Sequence, residues 1–409
     1  MNCNANACTT ADAGDDAGRF ALTTTAPCCR VTEYGLMRVS GKDAVTFLHG
    51  QFTNAVTGLA DEVRNAGYCT PKGRLLATFR VWMDGDDVMM LVPKAVAPAF
   101  FKRLRMYVLR ADVTFTCTGG DVVMTGVPAG AEAFLEAAGL PVPAPSRVVR
   151  HDGLVIVDAE PASKVEGFCA GGRRALIIAP KDDARFADAS TDSALWWASE
   201  IAAGKTTVWP GSRELFVPQA VNYELSGGVV FNKGCYPGQE VVSRVQHIGE
   251  TSRRAAFGLV AGTEAPLPGA PVYCDGAEAG FVTQAVAGEI STLVAFSSLR
   301  SALTGRLTLT PEGAPISILP LPYNRPPAAG PPAPAGARRR EAVGGPARLF
   351  LHEPHPFSCA TDRICYVGLY GRQNGKFNRA IFRLPAGRPC RPVRGLPLDA
   401  SAQHSGTCA

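Results

Sequence analysis

The sequence predicts an α+β protein of three structured units, the last a small all-β barrel or sandwich, flanked by disordered N- and C-terminal extensions. Three observations carry this expectation. Helical and strand periodicities interleave between residues 30 and 204. From residue 253 to residue 323 only short β runs remain, separated by Gly, Pro and Asp-Gly turns. Outside residues 30–323 the apolar pattern stops. A chain of 409 residues with 46% hydrophobic content has room for two or three domains with cores of their own.

The elements follow in order. Residues 1–29, small and polar for most of their length, form the first extension. Residues 43–49 read as a short helix with Ala44, Phe47 and Leu48 inward, stopped at Gly50. Apolar runs 78–83 and 88–92 flank Asp84-Gly85-Asp86-Asp87, a hairpin signal. Val96, Phe100, Leu104 and Val108 recur at helical spacing, with Lys102, Arg103 and Arg105 outward. These belong to a first α+β subdomain, residues 30–118, onto which residues 200–250 are expected to pack. A strand (122–127), a helix (132–138), a hairpin (147–158) and a strand (175–179) make a central ferredoxin-like subdomain, residues 119–199. A helix over 195–203 closes at Gly204. Residues 253–323 form the barrel.

Charge and cysteine usage exclude some classes. Of 41 Lys and Arg, 13 lie in residues 324–409 against only 4 Asp and Glu there. The rest therefore carries 28 basic and 32 acidic residues, and a mildly acidic body gives no reason to expect a nucleic-acid groove. The tail holds 12 prolines and cannot supply much packed core, although residues 349–384 are compositionally able to hold local structure. It reads as a non-homologous or read-through extension. Thirteen scattered cysteines, none in a Cys-x-x-Cys pair, fit a reduced, cytoplasmic protein without a zinc site. Neither a signal peptide nor a membrane span is expected.

The richest chemistry is in Lys233-Gly234-Cys235-Tyr236-Pro237-Gly238-Gln239-Glu240, followed by Arg244. Pro237 presets the second position of a β-turn, and Gly238 supplies the positive φ that a type II turn needs at the third. Taken alone, Cys235 is an inert buried thiol more often than a reactive one. Its Gly-flanked turn and the nearby Lys233 shift the balance, since cations favour the thiolate. Glu240 and Arg244 share one face on a helix or a strand and read first as a structural ion pair.

That run resembles the YgfZ family of folate-binding proteins, which is related to the aminomethyltransferase (T protein) of the glycine cleavage system and to mitochondrial iron–sulfur assembly factors. Glu214-Leu215-Phe216-Val217-Pro218-Gln219-Ala220-Val221-Asn222, Gly227-Gly228-Val229-Val230-Phe231, and upstream Phe47-Leu48-His49-Gly50-Gln51 and Thr70-Pro71-Lys72-Gly73-Arg74-Leu75-Leu76 resemble it too. The resemblance covers about residues 30–323 and implies a ring of three subdomains around a folate-sized hole. One departure stands out. The aminomethyltransferases carry an acidic pair where this chain has Leu76 and Ala77, which argues against glycine-cleavage chemistry.

The resemblance gives the remaining residues their expected roles. Cys235 is the functional thiol, acting on a cluster or as a nucleophile toward a one-carbon adduct. Lys233 is expected to meet a ligand carboxylate, such as a glutamyl tail. Gln219 and Asn222 match the donor–acceptor edge of a pterin, against the plainer reading as turn amides. Lys72, Arg74, Gln239, Glu240 and Arg244 complete the expected binding set, though Lys72 and Arg74 read first as solvated turn charges. Trp196 and Trp197 read as core and rim, and no histidine is assigned to a metal. The expected ligand is tetrahydrofolate or a one-carbon derivative. The expected partners are iron–sulfur client proteins, including tRNA-modifying enzymes, with no direct nucleic acid and no membrane. The implied function is an auxiliary factor in iron–sulfur protein assembly or repair. A folate-dependent transferase or demethylase and a non-catalytic scaffold are the alternatives.

Overall fold

The computed structural model of the chain describes residues 19–22, 26–118, 120–169, 171–247, 251–325, 364–373 and 376–385. Most of the two extensions expected from the sequence lies outside the described residues. Two units separate, Met1–Ala333 and Pro334–Ala409. In the second, β17 (Ile364–Gln373) and β18 (Lys376–Pro385) form an antiparallel hairpin inside the less biased stretch of the tail. All that follows concerns the first.

The chain joins the core before Arg30. Phe20 is fully buried and packs edge-on against Phe168. Strand β1 (Cys29–Arg30) adds to the edge of the central sheet. The first subdomain then comprises β2 (Tyr34–Ser40), α1 (Ala44–His49), β3 (Arg64–Cys69), β4 (Leu75–Asp84), β5 (Asp87–Pro93), α2 (Ala97–Arg105) and β6 (Thr114–Cys117), with sheet order β3-β4-β5-β2-β6. The β4–β5 hairpin turns where expected, with Asp84 opposite Asp87 and Gly85 at φ 62°. Helix α2 ends earlier than the periodicity suggests, and Met106, Tyr107 and Leu109 are exposed beyond it.

The second subdomain holds β7 (Val122–Val127), α3 (Ala131–Ala137), β8 (Val148–His151), β9 (Leu154–Ala162), β10 (Gly172–Pro180) and α4 (Ala194–Ala202). Its order, β1-β7-β10-β9-β8, differs from the ferredoxin-like expectation, because β10 lies between β7 and β9 instead of outside β7. The reason is the connection. A ferredoxin-like sheet needs a crossover helix between its last two strands, and here a short loop joins β9 to β10, so they pair directly. The second helix, α4, comes only after β10. It closes at Gly204, whose φ is 62°.

Residues 205–247 return to the first subdomain. The backbone of Leu75 pairs with Phe216 and Glu214, and the Val230 amide donates to Thr53. Beneath this segment Cys69, Leu75, Phe216, Val221, Tyr223 and Val242 form a small core of their own. Helix α5 (Gln239–His247) ends it. The barrel follows as β11 (Arg253–Ala261), β12 (Pro271–Cys274), β13 (Ala277–Ala287), β14 (Ser291–Leu299), β15 (Leu307–Thr308) and β16 (Ser317–Leu319), in the order β15-β12-β13-β14-β11-β16.

Candidate functional site

The Cys235 loop is built from backbone outward. The Gln239 amide donates to the Tyr236 carbonyl at 3.1 Å, and Gly238 stands at φ 82°, the geometry of a type II turn with Pro237 second and Gly238 third. A second turn backs it. In residues 70–74, Gly73 donates to the Thr70 carbonyl and itself has φ 70°. A Cβ on Gly238 would stand 2.4 Å from the Thr70 carbonyl oxygen and 2.7 Å from Gly73 Cα. The turns therefore meet glycine against glycine, and Lys72-Gly73-Arg74 is brought to the Cys235 loop. Lys72 and Arg74 are exposed there, and the Arg74 guanidinium donates to the Leu215 carbonyl.

Lys233 anchors the other side. Its ammonium donates to the carbonyls of His49 and Phe52, the latter at 2.7 Å, and lies 4.9 Å from the centre of the Tyr236 ring. Burial lowers its pKa to about 8, and a neighbouring Cys235 thiolate acts in the opposite sense. With two backbone carbonyls satisfied, Lys233 serves the loop before any ligand carboxylate. Cys235 is exposed at the loop's crest. Cys69, in the core beneath, is the contrasting thiol, fully buried and pushed up to about 12 by that burial. Cys117 is also exposed, but on the edge strand β6.

The structure adds a residue that sequence reasoning did not weigh. The His49 imidazole lies beside Gly234, with Nε2 4.0 Å from where a Gly234 Cβ would stand. Burial and then the charges of Lys233 and Arg64 hold its pKa below the ordinary histidine value. The ring is thus neutral near pH 7, able to accept a proton next to the thiol-bearing turn. Its position at the end of α1, inside a quoted motif, was the available signal.

The other expected residues divide. Gln239 begins α5 and donates to the Lys233 carbonyl at 3.4 Å. Glu240 and Arg244 pair at 2.9 Å along the exposed face of the helix. Gln219 and Asn222, expected at a pterin edge, are buried; Asn222 is spent on the protein, while the Gln219 side-chain oxygen has no hydrogen-bond partner among the described residues. Gln219 Nε2 donates to the Val242 carbonyl at 2.7 Å, holding α5 down. Asn222, at φ 55°, donates to the Ala255 carbonyl and accepts from the Ala255 amide, fastening the segment to β11. Leu76 and Ala77 are buried in β4, so the acidic pair has no substitute there.

Where the subdomains meet lies a polar centre. Glu200 of α4 accepts from Arg80 of β4 and Arg174 of β10, each at 2.8 Å, and Glu160 of β9 takes Arg80 and Lys205, each at 3.0 Å. Burial opposes the ionisation of Glu200, yet the three cations outweigh it and hold the carboxyl at about 2. Beside this cluster opens a cavity of about 310 Å³ lined by Asn54, Arg64, Asn65, Ser146, Glu160, Val230 and their neighbours. Val230 precedes Cys235 by five residues, and Arg64 acts on His49. Among the described residues no three His, Cys, Asp or Glu side chains gather as a metal site would require, and no helix is long and apolar enough to cross a membrane.

Three antiparallel-sheet subdomains, the first two joined at a polar centre and the last a barrel, make an aminomethyltransferase-like fold. The structure is similar to that of the glycine cleavage system aminomethyltransferase T from Bartonella henselae, with a TM-score of 0.56 and 16% identity over 75% of this chain and 88% of that one. No family model matches the chain. Among curated proteins it is 30% identical over 244 residues to the tRNA-modifying protein YgfZ of Klebsiella pneumoniae (strain 342), covering 58% of this chain and 72% of the relative. Identity to YgfZ of Pectobacterium carotovorum subsp. carotovorum (strain PC1) is 28% over 236 residues, 56% of this chain and 68% of the relative. The chain belongs to the YgfZ family.

Proposed function

We propose that this protein binds tetrahydrofolate or a one-carbon derivative and supports the assembly or repair of iron–sulfur proteins, tRNA-modifying enzymes among them, with Cys235 as its reactive group. The observation that carries this reading is the presentation of Cys235. An exposed thiol tops a turn locked by Gly238 against Gly73 and by Lys233 against two carbonyls, with the His49 imidazole beside Gly234. So much backbone constraint around one exposed cysteine suits a reactive group better than a packing one. The relatives' name, tRNA-modifying protein, supports the direction of the function.

The 310 Å³ cavity offers a fit for the ligand's head group. It is at the small end of ligand pockets, so it suits a pterin and not a whole folate. Among the described residues the Ser146 hydroxyl and the Asn65 amide oxygen have no hydrogen-bond partner within the protein, and they would hold the head group. When bound, the folate would supply a one-carbon carrier. The chain's own residues would orient it and keep Cys235 presented. Buried Leu76 and Ala77 argue against an amine transferase, which needs a carboxylate.

Two measurements test the reading. In a strain lacking the protein, Cys235→Ser should fold normally yet fail to restore iron–sulfur enzyme activity; full restoration removes Cys235 from the function. Calorimetry with tetrahydrofolate should show saturable heat that Asn65→Leu abolishes. No heat at millimolar ligand removes the folate.

A further inference from the structure

Away from the Cys235 loop, α4, the turn Pro210–Ser212 and the barrel enclose an open groove of about 600 Å³. Its walls are apolar, made chiefly of Trp197, Trp209, Leu267 and Pro268. They are also closely packed. The two indoles meet at 5.0 Å between ring centres and an interplanar angle of 65°. A Cβ on Gly211 would stand 2.2 Å from the Pro268 carbonyl oxygen, and one on Gly269 would stand 2.2 Å from the Gly211 carbonyl oxygen, so the turns forming the walls are in backbone contact.

Several groups in the groove are unmet by the protein. Leu267 is 79% exposed at its rim. The indole N–H groups of Trp197 and Trp209 and the side-chain oxygen of Gln284 are buried atoms without a hydrogen-bond partner among the described residues, so the rings offer the groove their apolar surface. Two carboxylates, Glu33 and Asp192, also line it. They accept from the Ser193 hydroxyl and the Ala194 amide respectively, and among the described residues neither has a cationic partner.

We propose that this groove binds an extended, proline-containing peptide segment of a partner protein that carries an arginine. A polyproline II segment presents apolar ring faces and keeps its own carbonyls unbonded, which suits indole walls. Arginine suits a pair of uncompensated carboxylates beside aromatic rings, through charge-assisted hydrogen bonds and cation–π contact. A small cation would use the carboxylates and the indoles but leave Leu267 bare at the open rim. The proposal stands apart from the Cys235 reading and survives or fails without it.

The test uses the full chain labelled with ¹⁵N and an acetylated, amidated peptide, Pro-Pro-Leu-Pro-Pro-Arg. The chain has four tryptophans. The indole N–H signals of Trp197 and Trp209 should shift and saturate, while those of Trp82 and Trp196, 1% and 0% exposed, stay in place. The double variant Glu33→Gln, Asp192→Asn should weaken binding by about tenfold. Leu267→Ser, at an exposed position that leaves folding intact, should weaken it by several-fold. Absence of shifts at millimolar peptide overturns the proposal, as does binding unchanged in both variants. Equal binding of a Gly-Ser peptide with the same arginine also overturns it. So does equal affinity for arginine amide alone, which would make the groove a cation pocket.

Discussion

The Cys235 loop and the Arg80–Glu200 cluster are both polar regions on the same subdomain framework, held by opposite means. The loop is held by backbone contact and by the Lys233 ammonium on two carbonyls, and the exposed Cys235 side chain carries none of the structure. The cluster is side chain against side chain, with Arg80 5% exposed, Glu200 1% and Arg174 0%, each from a different element. The loop can therefore lose the Cys235 thiol and keep its shape. The cluster cannot lose a member without leaving a buried charge unmatched.

Breaking the cluster should have the largest effect. Glu200→Ala leaves Arg80 and Arg174 without their shared carboxylate and should cost about 3–5 kcal/mol in urea unfolding. The same change should leave the alkylation rate of Cys235 in the folded protein unchanged. A similar loss from Cys235→Ala would erase the contrast between the regions.

Acid probes the cluster without mutation. Glu200 falls from an ordinary 4.5 to about 2 in the fold, and Glu160 also lies well below 4.5. The unfolded chain then binds more protons, so their contribution is complete above pH 4.5 and disappears as pH falls through about 2. Lys205 gives a slope of the same sign in a higher window, although its shift disfavours the charged form near pH 7. Burial lowers it from 10.5 to about 8, so its contribution makes stability rise between those values. Unfolding free energies at stepped pH should rise through both windows, and Glu200→Gln should flatten the acid limb.

The two regions were also unequally legible in the sequence. The loop was visible because its parts are consecutive: Pro237 and Gly238 specify their turn, and Glu240 and Arg244 sit four apart on a helix. The cluster joins Arg80 to Glu200 across 120 positions and Arg174 to Glu200 across 26, so no local pattern records it. A clue existed in the charges that interrupt otherwise apolar runs, Arg80 in β4 and Glu200 in α4. Such a charge must find a buried partner. Gln219 and Asn222 were legible as amides but not as buried ones, because their partners Val242 and Ala255 are supplied by later segments. The strand runs of the central subdomain were legible, while the placement of β10 depended on the missing crossover helix.

Gly238→Ala tests whether backbone contact positions the loop. A methyl group there meets the Thr70 carbonyl oxygen at 2.4 Å and must adopt φ 82°. The expected cost is about 1–3 kcal/mol, smaller than that of Glu200→Ala. Here the functional readout should change more than the stability, since the turn bearing Cys235 moves off residues 70–74. Alkylation of Cys235 at wild-type rate in a folded Gly238→Ala protein would show that the glycine contact does not position the thiol.

The smallest effect is expected at the loop's outer face. Glu240 and Arg244 form an i,i+4 pair with side chains 85% and 66% exposed. Water and salt screen such a pair, and it supports its helix by at most about 0.5 kcal/mol. Glu240→Gln should therefore leave the urea midpoint nearly unchanged, and 1 M salt should remove the remaining difference. A large loss of iron–sulfur enzyme rescue in that variant, with stability intact, would move Glu240 from support of the helix to contact with a partner or ligand. That outcome would extend the functional surface from Cys235 along one turn of α5.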